Sequence, residues 1–203
     1  MGRLASVKWI TVMLLLISMA IPVFASANQV SATSGKQKVK ALIVYYSWSN
    51  NTRTMAEFMQ RHTGFDMEEL DVVKPYIRDY ETLLDQVREE EKRGYLPELK
   101  PLKSDLAAYD VIFVGSPLWI YTLSSPVMSF LSSNDLSGKV VIPFATRGTS
   151  TPDRLYAKFA ELCPGSRLMT GFDITRGGFH DAQPALINWL DHTVNELEEN
   201  TLQ

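Results

Sequence analysis

The residues of this chain best placed to do chemistry are uncharged donors. Ser47, Trp48, Ser49, Asn50, Asn51 and Thr52 follow one another, rich in hydroxyl and amide groups and free of formal charge. At the start of a helix the first backbone N–H groups have no partner inside the helix, and the dipole favours negative charge there. Short hydroxyl side chains add donors without crowding a ligand. Such a loop suits a terminal phosphate monoester. A plain helix cap made by the same Ser and Asn side chains is the other reading open at this point. The chain has no Gly-x-x-x-x-Gly-Lys-Ser/Thr and no Gly-x-Gly-x-x-Gly, so the Walker loop and the usual dinucleotide turn are excluded. Two more stretches carry useful groups. Pro117, Leu118, Trp119, Ile120 and Tyr121 offer broad aromatic faces, and Thr146, Arg147, Gly148 and Thr149 offer hydroxyls, a cation and close backbone approach. Hydrolytic and metal chemistry are poorly supplied. Gly115-Ser116-Pro117 is not a Gly-x-Ser-x-Gly elbow, and His62, His180 and His192 lack metal-ligand spacing. His180, after Gly177 and Gly178, is the one histidine to examine near a ligand.

These stretches need elements to hold them. Residues 39–46 form a short apolar run that reads as a strand buried on both faces, and a helix opens near Thr52. Residues 65–73 mix apolar and acidic positions, which suits a strand nearer the sheet edge. Residues 79–93 show helical spacing through Tyr80, Leu83, Leu84 and Val87, with the charged run 88–93 read as a solvated face. A surface connection follows over 95–103, broken by Pro97 and Pro101. Residues 110–115 form a buried strand, with 116–125 a loop and Pro126 at the start of the next helix. Residues 139–145 form another strand, with 146–151 a loop and a helix from Pro152 to about Cys163. A last strand spans 167–175, and a closing helix spans 183–199. Five strands separated by helices make an α/β fold with a parallel sheet covered on both faces. Ligands in such folds bind beyond the carboxyl ends of the strands.

The chain begins with Arg3 and Lys8, an apolar run over 9–24 and then Ala25-Ser26-Ala27. That is the layout of a signal peptide covering 1–27, with cleavage after Ala27 favoured over retention as an anchor. No twin arginine precedes the apolar run, which points to export in the unfolded state. Residues 28–38 read as a flexible tail and 39–199 as one domain. The expected location is periplasmic or extracellular, with no stable membrane anchor after cleavage. Losing Arg3 and Lys8 takes the formal net charge from −3 to −5, which argues against nucleic acid as a partner. Cys163 is the only cysteine, so no internal disulfide forms, and its expected role is to fill space near a helix end.

A phosphate cradle beside an aromatic wall is what flavin mononucleotide (FMN) needs, its phosphate at the first helix and its ring against an aromatic side chain. Several stretches also resemble the flavodoxin-like flavoproteins, in particular a bacterial branch with Gly-x-Pro-x-Trp in its second loop. Residues 46–52 resemble the Ser-x-x-Gly-Asn-Thr phosphate loop. Gly115 through Pro117 and Trp119, then Pro126-Val127, resemble the second loop and its helix, and Pro75-Tyr76, Tyr80 and Cys163-Pro164-Gly165 extend the likeness.

This resemblance implies a doubly wound five-stranded parallel sheet of order 2-1-3-4-5 and one bound FMN. Ser47, Ser49, Asn51 and Thr52 would hold the phosphate, with 117–121 on one side of the ring and 146–149 on the other. Trp119 is the expected flavin contact, with Tyr121 and Trp48 as further candidates and Tyr76 and Tyr80 as structural residues. The chain departs from the pattern at Asn50, which stands where the family has glycine, and in the third loop, which has one glycine. Asn tolerates a left-handed backbone better than most residues. The implied activity is electron transfer with a redox partner protein or a small-molecule acceptor. An FMN-dependent NAD(P)H:quinone reductase and a non-redox binding module with a decayed site are the alternatives. Arg147 is the cation expected to stabilise the negative charge of a reduced flavin.

Overall fold

A computed structural model of the protein describes residues 39–149 and 151–200. The expected leader over 1–27 and tail over 28–38 lie outside the described residues. Strand β1 (Ala41–Tyr45) is buried at every position, so it has no face for solvent and sits inside the sheet. It pairs in parallel with β2 (Asp66–Glu69) on one side and β3 (Val111–Trp119) on the other. β2 is acidic at Asp66, Glu68 and Glu69, has no fully buried position, and takes the edge. β3 pairs in parallel with β5 (Val140–Arg147), and the short β4 (Thr122–Leu123) folds back antiparallel on the end of β3. Beyond β5 lie β6 (Arg167–Leu168) and β7 (Phe172–Thr175), both parallel to it. The spatial order is β2-β1-β3-β5-β6, with β7 also beside β5. Counted by crossover strands, this is the expected 2-1-3-4-5 arrangement.

Side chains alternate across the strands and so feed two separate cores. Leu42, Val44, Ile112 and Val114 face α2 (Tyr80–Arg93), α3 (Ser125–Ser133) and α4 (Asp153–Leu162) through Leu83, Phe130 and Phe159. Ile43, Phe113, Ile142 and Phe144 face α1 (Asn51–Thr63) and α5 (Phe179–Asn200) through Met55, Met59, Leu186 and Leu190. Asp79 caps α2 by accepting the Thr82 N–H at 2.9 Å, and Gly94 ends it with a left-handed φ of 59°.

The structure corrects the sequence reading in four places. The stretch 116–125 is not an open loop. β3 runs on to Trp119, and Ile120 and Tyr121, with φ of 47° and 68°, turn it into β4. Two positive φ values mark the mirror-image turn that suits strand twist, usually built from Asn-Gly. The Ser116 hydroxyl accepts the Ser124 N–H at 3.0 Å and pins the hairpin shut. Second, β5 extends to Arg147, so Thr146 and Arg147 belong to the strand rather than to the loop.

Third, the last strand is broken between Leu168 and Phe172. The carbonyls of Lys139 and Val141 accept from this fifth position, so the next odd residue, Pro143, would point its missing N–H there too. Gly171 passes at that point so close to the Pro143 carbonyl that an added Cβ would lie 2.2 Å from its oxygen. Fourth, the charged run at the end of α2 is not wholly solvated. Glu90 is 3% exposed and accepts a hydrogen bond from the Tyr76 hydroxyl at 2.7 Å.

Candidate functional site

Strand order reverses between β1 and β3, and the crevice beyond their carboxyl ends is where open α/β sheets take ligands. The turn from β1 into α1 occupies that point. Asn50 takes the left-handed conformation, φ 64° and ψ −6°, at the N-cap of α1. Its carbonyl accepts the Thr54 N–H at 2.8 Å and the Thr54 hydroxyl at 3.0 Å, so the backbone itself starts the helix. The Asn50 side chain does not cap; it accepts from Arg53 Nη1 at 2.9 Å. Ser47 Oγ accepts the Arg53 N–H at 3.2 Å, and Asn51 Nδ2 donates to Ser49 Oγ at 2.8 Å. Thr52, buried, shares a 2.8 Å hydrogen bond with the Thr146 hydroxyl and ties the first loop to the third.

Among the described residues the N–H groups of Ser49, Asn50, Asn51 and Thr52 meet no acceptor. Consecutive donors around a left-handed residue at a helix start form an anion-binding nest. Side-chain capping is partial: Ser47 Oγ takes the Arg53 N–H, the Asn50 side chain caps nothing, and the N–H groups of Asn51 and Thr52 stay open. Arg53 is committed elsewhere: its guanidinium grips Glu69 at 2.7 to 3.0 Å on the flank of the loop. The nest therefore works with dipoles and without a fixed positive charge.

A cleft of about 200 Å³ opens beside the nest. Trp48, Ser49 and Asn51 line it from the first loop, Pro117, Leu118 and Trp119 from the second, and Thr146, Arg147, Gly148 and Thr149 from the third. All three stretches thus meet in one place. Pro117 and Thr146 are register partners on adjacent strands and set the floor. Ser47, Asn50 and Thr52 build the loop from behind rather than line the cleft. Ile120 and Tyr121 do not line it either: they form the hairpin turn, where Tyr121 is 59% exposed.

Both tryptophans line the cleft, each held in its own way. Trp119 is 6% exposed and packs edge-on against Tyr76 at 4.9 Å and Tyr46 at 5.7 Å, so it is a wall anchored in the core. Trp48 stands at the mouth. Its Nε1 donates to the Ile77 carbonyl at 2.9 Å, its own carbonyl accepts from Arg78, and its ring lies 6.2 Å from Tyr80. Sequence reasoning missed Tyr80, Leu83 and Arg176, which also line the cleft. Arg176 directly follows β7, so extending the carboxyl-end rule to the last strand would have found it. Tyr80 and Leu83 arrive on the long second connection, whose path no local pattern encodes.

Charge in the cleft is split between two arginines. Arg147 is ion-paired with Asp173 of β7. Arg176 holds Arg147 by donating its N–H to that carbonyl at 2.6 Å, while its own guanidinium has no partner among the described residues. His180 lies outside the cleft with its side chain 94% exposed. No metal-binding cluster occurs among the described residues. Burial, with Glu69 adding to it, pushes the Tyr45 phenol up to about 12. Burial pushes the Cys163 thiol up to about 11, which fits its place as filler at the end of α4.

Residues 40–193 match the family described as Flavodoxin. A protein from Bacteroides eggerthii DSM 20697, assigned as a flavoprotein, superposes with a TM-score of 0.66 and 26% identity, over 75% of this chain and 96% of that one. A flavoprotein of Lactobacillus acidophilus NCFM, solved in complex with FMN, gives a TM-score of 0.59 and 25% identity, over 66% of this chain and 93% of that one. A further protein assigned as a flavoprotein, from Bacteroides uniformis ATCC 8492, has the same fold, with a TM-score of 0.62, 23% identity and coverage of 75% and 98%. No curated protein matches the chain. The match of sequence over almost the whole described domain, on a sheet of the same order, shows that this chain belongs to the flavodoxin family.

Proposed function

We propose that this protein binds one FMN in the cleft and carries electrons outside the cytoplasm. The observation that supports this most directly is the run of N–H donors from Ser49 to Thr52, which meets no acceptor and lies beside the shared cleft that Ser49 and Asn51 line. A phosphate monoester satisfies such donors, and the hydroxyl of Ser49 and amide of Asn51 stand beside it. Pro117, Leu118 and Trp119 would flank one side of the ring, and Thr146, Gly148 and Thr149 the other. The L. acidophilus relative that was solved with FMN lends support at 25% identity. Bound FMN supplies one- and two-electron chemistry. The chain's own part is to grip the phosphate, exclude water with Trp48 and Tyr80, and set the charge around the ring through Arg147 and Arg176.

The location rests on Arg3, Lys8, the apolar run over 9–24 and Ala25-Ser26-Ala27. Among the described residues no helix is long and apolar enough to cross a membrane. The electron partner is a redox protein or a small-molecule acceptor. One experiment tests the whole reading. The full chain is expressed with its leader, the cell is fractionated, and the N-terminus and visible spectrum of the purified protein are read before and after adding FMN. A chain beginning at Asn28, found outside the cytoplasm and taking up one FMN with quenched flavin fluorescence, is the expected result. A colourless protein that takes up no FMN overturns the redox assignment and leaves a binding module whose flavin site has decayed.

A further inference from the structure

A larger cavity of about 560 Å³ lies on the other side of Trp48, within the usual size range of small-molecule sites. It sits at the carboxyl end of β2 and is roofed by the second connection. That roof is tied down by backbone bonds: Val73 N–H donates to Glu98 at 2.9 Å and Lys100 N–H to Asp71 at 2.8 Å. Tyr46 forms its floor. This residue is 7% exposed, its ring is held between Tyr76 and Trp119, and its hydroxyl has no hydrogen-bond partner among the described residues. Its oxygen is not sealed off, so a molecule in the cavity can reach it. Burial raises its pKa, so the oxygen keeps its proton and offers a donor.

The charges around the cavity are unevenly committed. Its wall carries four basic and three acidic residues. All three carboxylates are taken: Glu68 by the N–H groups of Lys103 and Ser104 at 2.6 and 2.8 Å, Glu69 by Arg53, and Asp71 by Lys100 at 2.6 Å. Arg78 donates to a neutral carbonyl, that of Trp48, and pairs with no carboxylate among the described residues. Arg78 is also the charged residue whose field acts most strongly on the Tyr46 phenol. Pro75, Tyr76, Pro101 and Leu102 supply flat, apolar sides.

We propose that this cavity is a second ligand site, for a small planar organic anion that presents a carbonyl or carboxylate oxygen to the Tyr46 hydroxyl and its negative charge to Arg78. The site stands apart from the flavin assignment, because Tyr46 does not line the flavin cleft and Trp48 separates the two spaces. Calorimetric titration of the full mature chain with anthraquinone-2-sulfonate, with and without saturating FMN, tests it. One probe should bind per chain in both conditions. Tyr46→Phe, which removes only the hydroxyl, should weaken the probe by about tenfold, the size of one hydrogen bond to a charged or polarised oxygen, and leave FMN affinity within about twofold. Arg78→Gln should weaken the probe as well. Equal probe affinity in wild type and Tyr46→Phe, no binding to wild type, or displacement of the probe by FMN would each overturn the second site. Failure of FMN to bind, with the probe behaving as stated, would overturn the flavin assignment alone.

Discussion

Arg176 is the cation left to act on a reduced flavin. A full charge about 8 Å away, at an effective dielectric of about 20, is worth roughly 2 kcal/mol. For one electron that is on the order of 90 mV. Arg176 is exposed, so salt screens it and the realised effect is smaller. Arg176→Ala is expected to lower the potential of the last one-electron reduction, and to do so less at high ionic strength. Arg147 is ion-paired with Asp173, so Asp173→Asn should move the same potential upward by removing that negative charge from beside the cleft. Spectroelectrochemistry reads both, and an unmoved potential in Arg176→Ala removes that residue from the account. The expectation placed on Arg147 alone came from the strand's local sequence, which does not disclose Asp173 one strand away. Asn50 was more legible. Its type already allowed a left-handed backbone, and the structure puts it at φ 64°. That residues 47–52 form the turn from β1 into α1 was legible for the same reason: it is local to a few consecutive residues.

Elements were legible where burial dictates them. β1 and the middle of β3 are apolar on both faces and could only be inner strands. The capped helices α1 and α2 end at Gly64 and Gly94 as their glycines require. What escaped was non-local. The hairpin beyond Gly115 turns on Ile and Tyr, which carry no turn signal, and exists because Ser116 and Ser124 bond across it. The break in the fifth strand depends on Pro143 in a neighbouring strand. Gly171 is there because the chain must pass the Pro143 carbonyl without a side chain. Gly171→Ala should therefore cost about 1–3 kcal/mol, the usual penalty of forced overpacking. Urea denaturation should show a lower midpoint with an unchanged slope. A midpoint equal to wild type would mean the strand break is free to shift.

At the scale of the molecule, two cores on opposite faces of one sheet must hold a chain that has a single cysteine and so no internal disulfide. Cys163 is buried in one of them, and its thiol is pushed from 9.0 up to about 11. A neutral form favoured by the fold contributes stability that is complete below pH 9 and is lost as the pH rises through about 11. Thiol reagents at neutral pH should label the native protein far more slowly than the urea-unfolded chain, and equal rates would show an accessible, ionisable sulfur. The same compactness bears on how a cofactor gets in. The cleft, at about 200 Å³, is smaller than the 300 Å³ or so at which ligand pockets begin, and Trp48 is latched over it by Ile77 and Arg78. Capture must wait for that latch to lift. Stopped-flow mixing should give an observed rate that levels off as FMN rises, the plateau being the opening step, and Arg78→Ala should raise the plateau. The folded molecule would then acquire its flavin slowly and, once filled, surrender it slowly, so that scarcity of free FMN matters at loading and little afterwards.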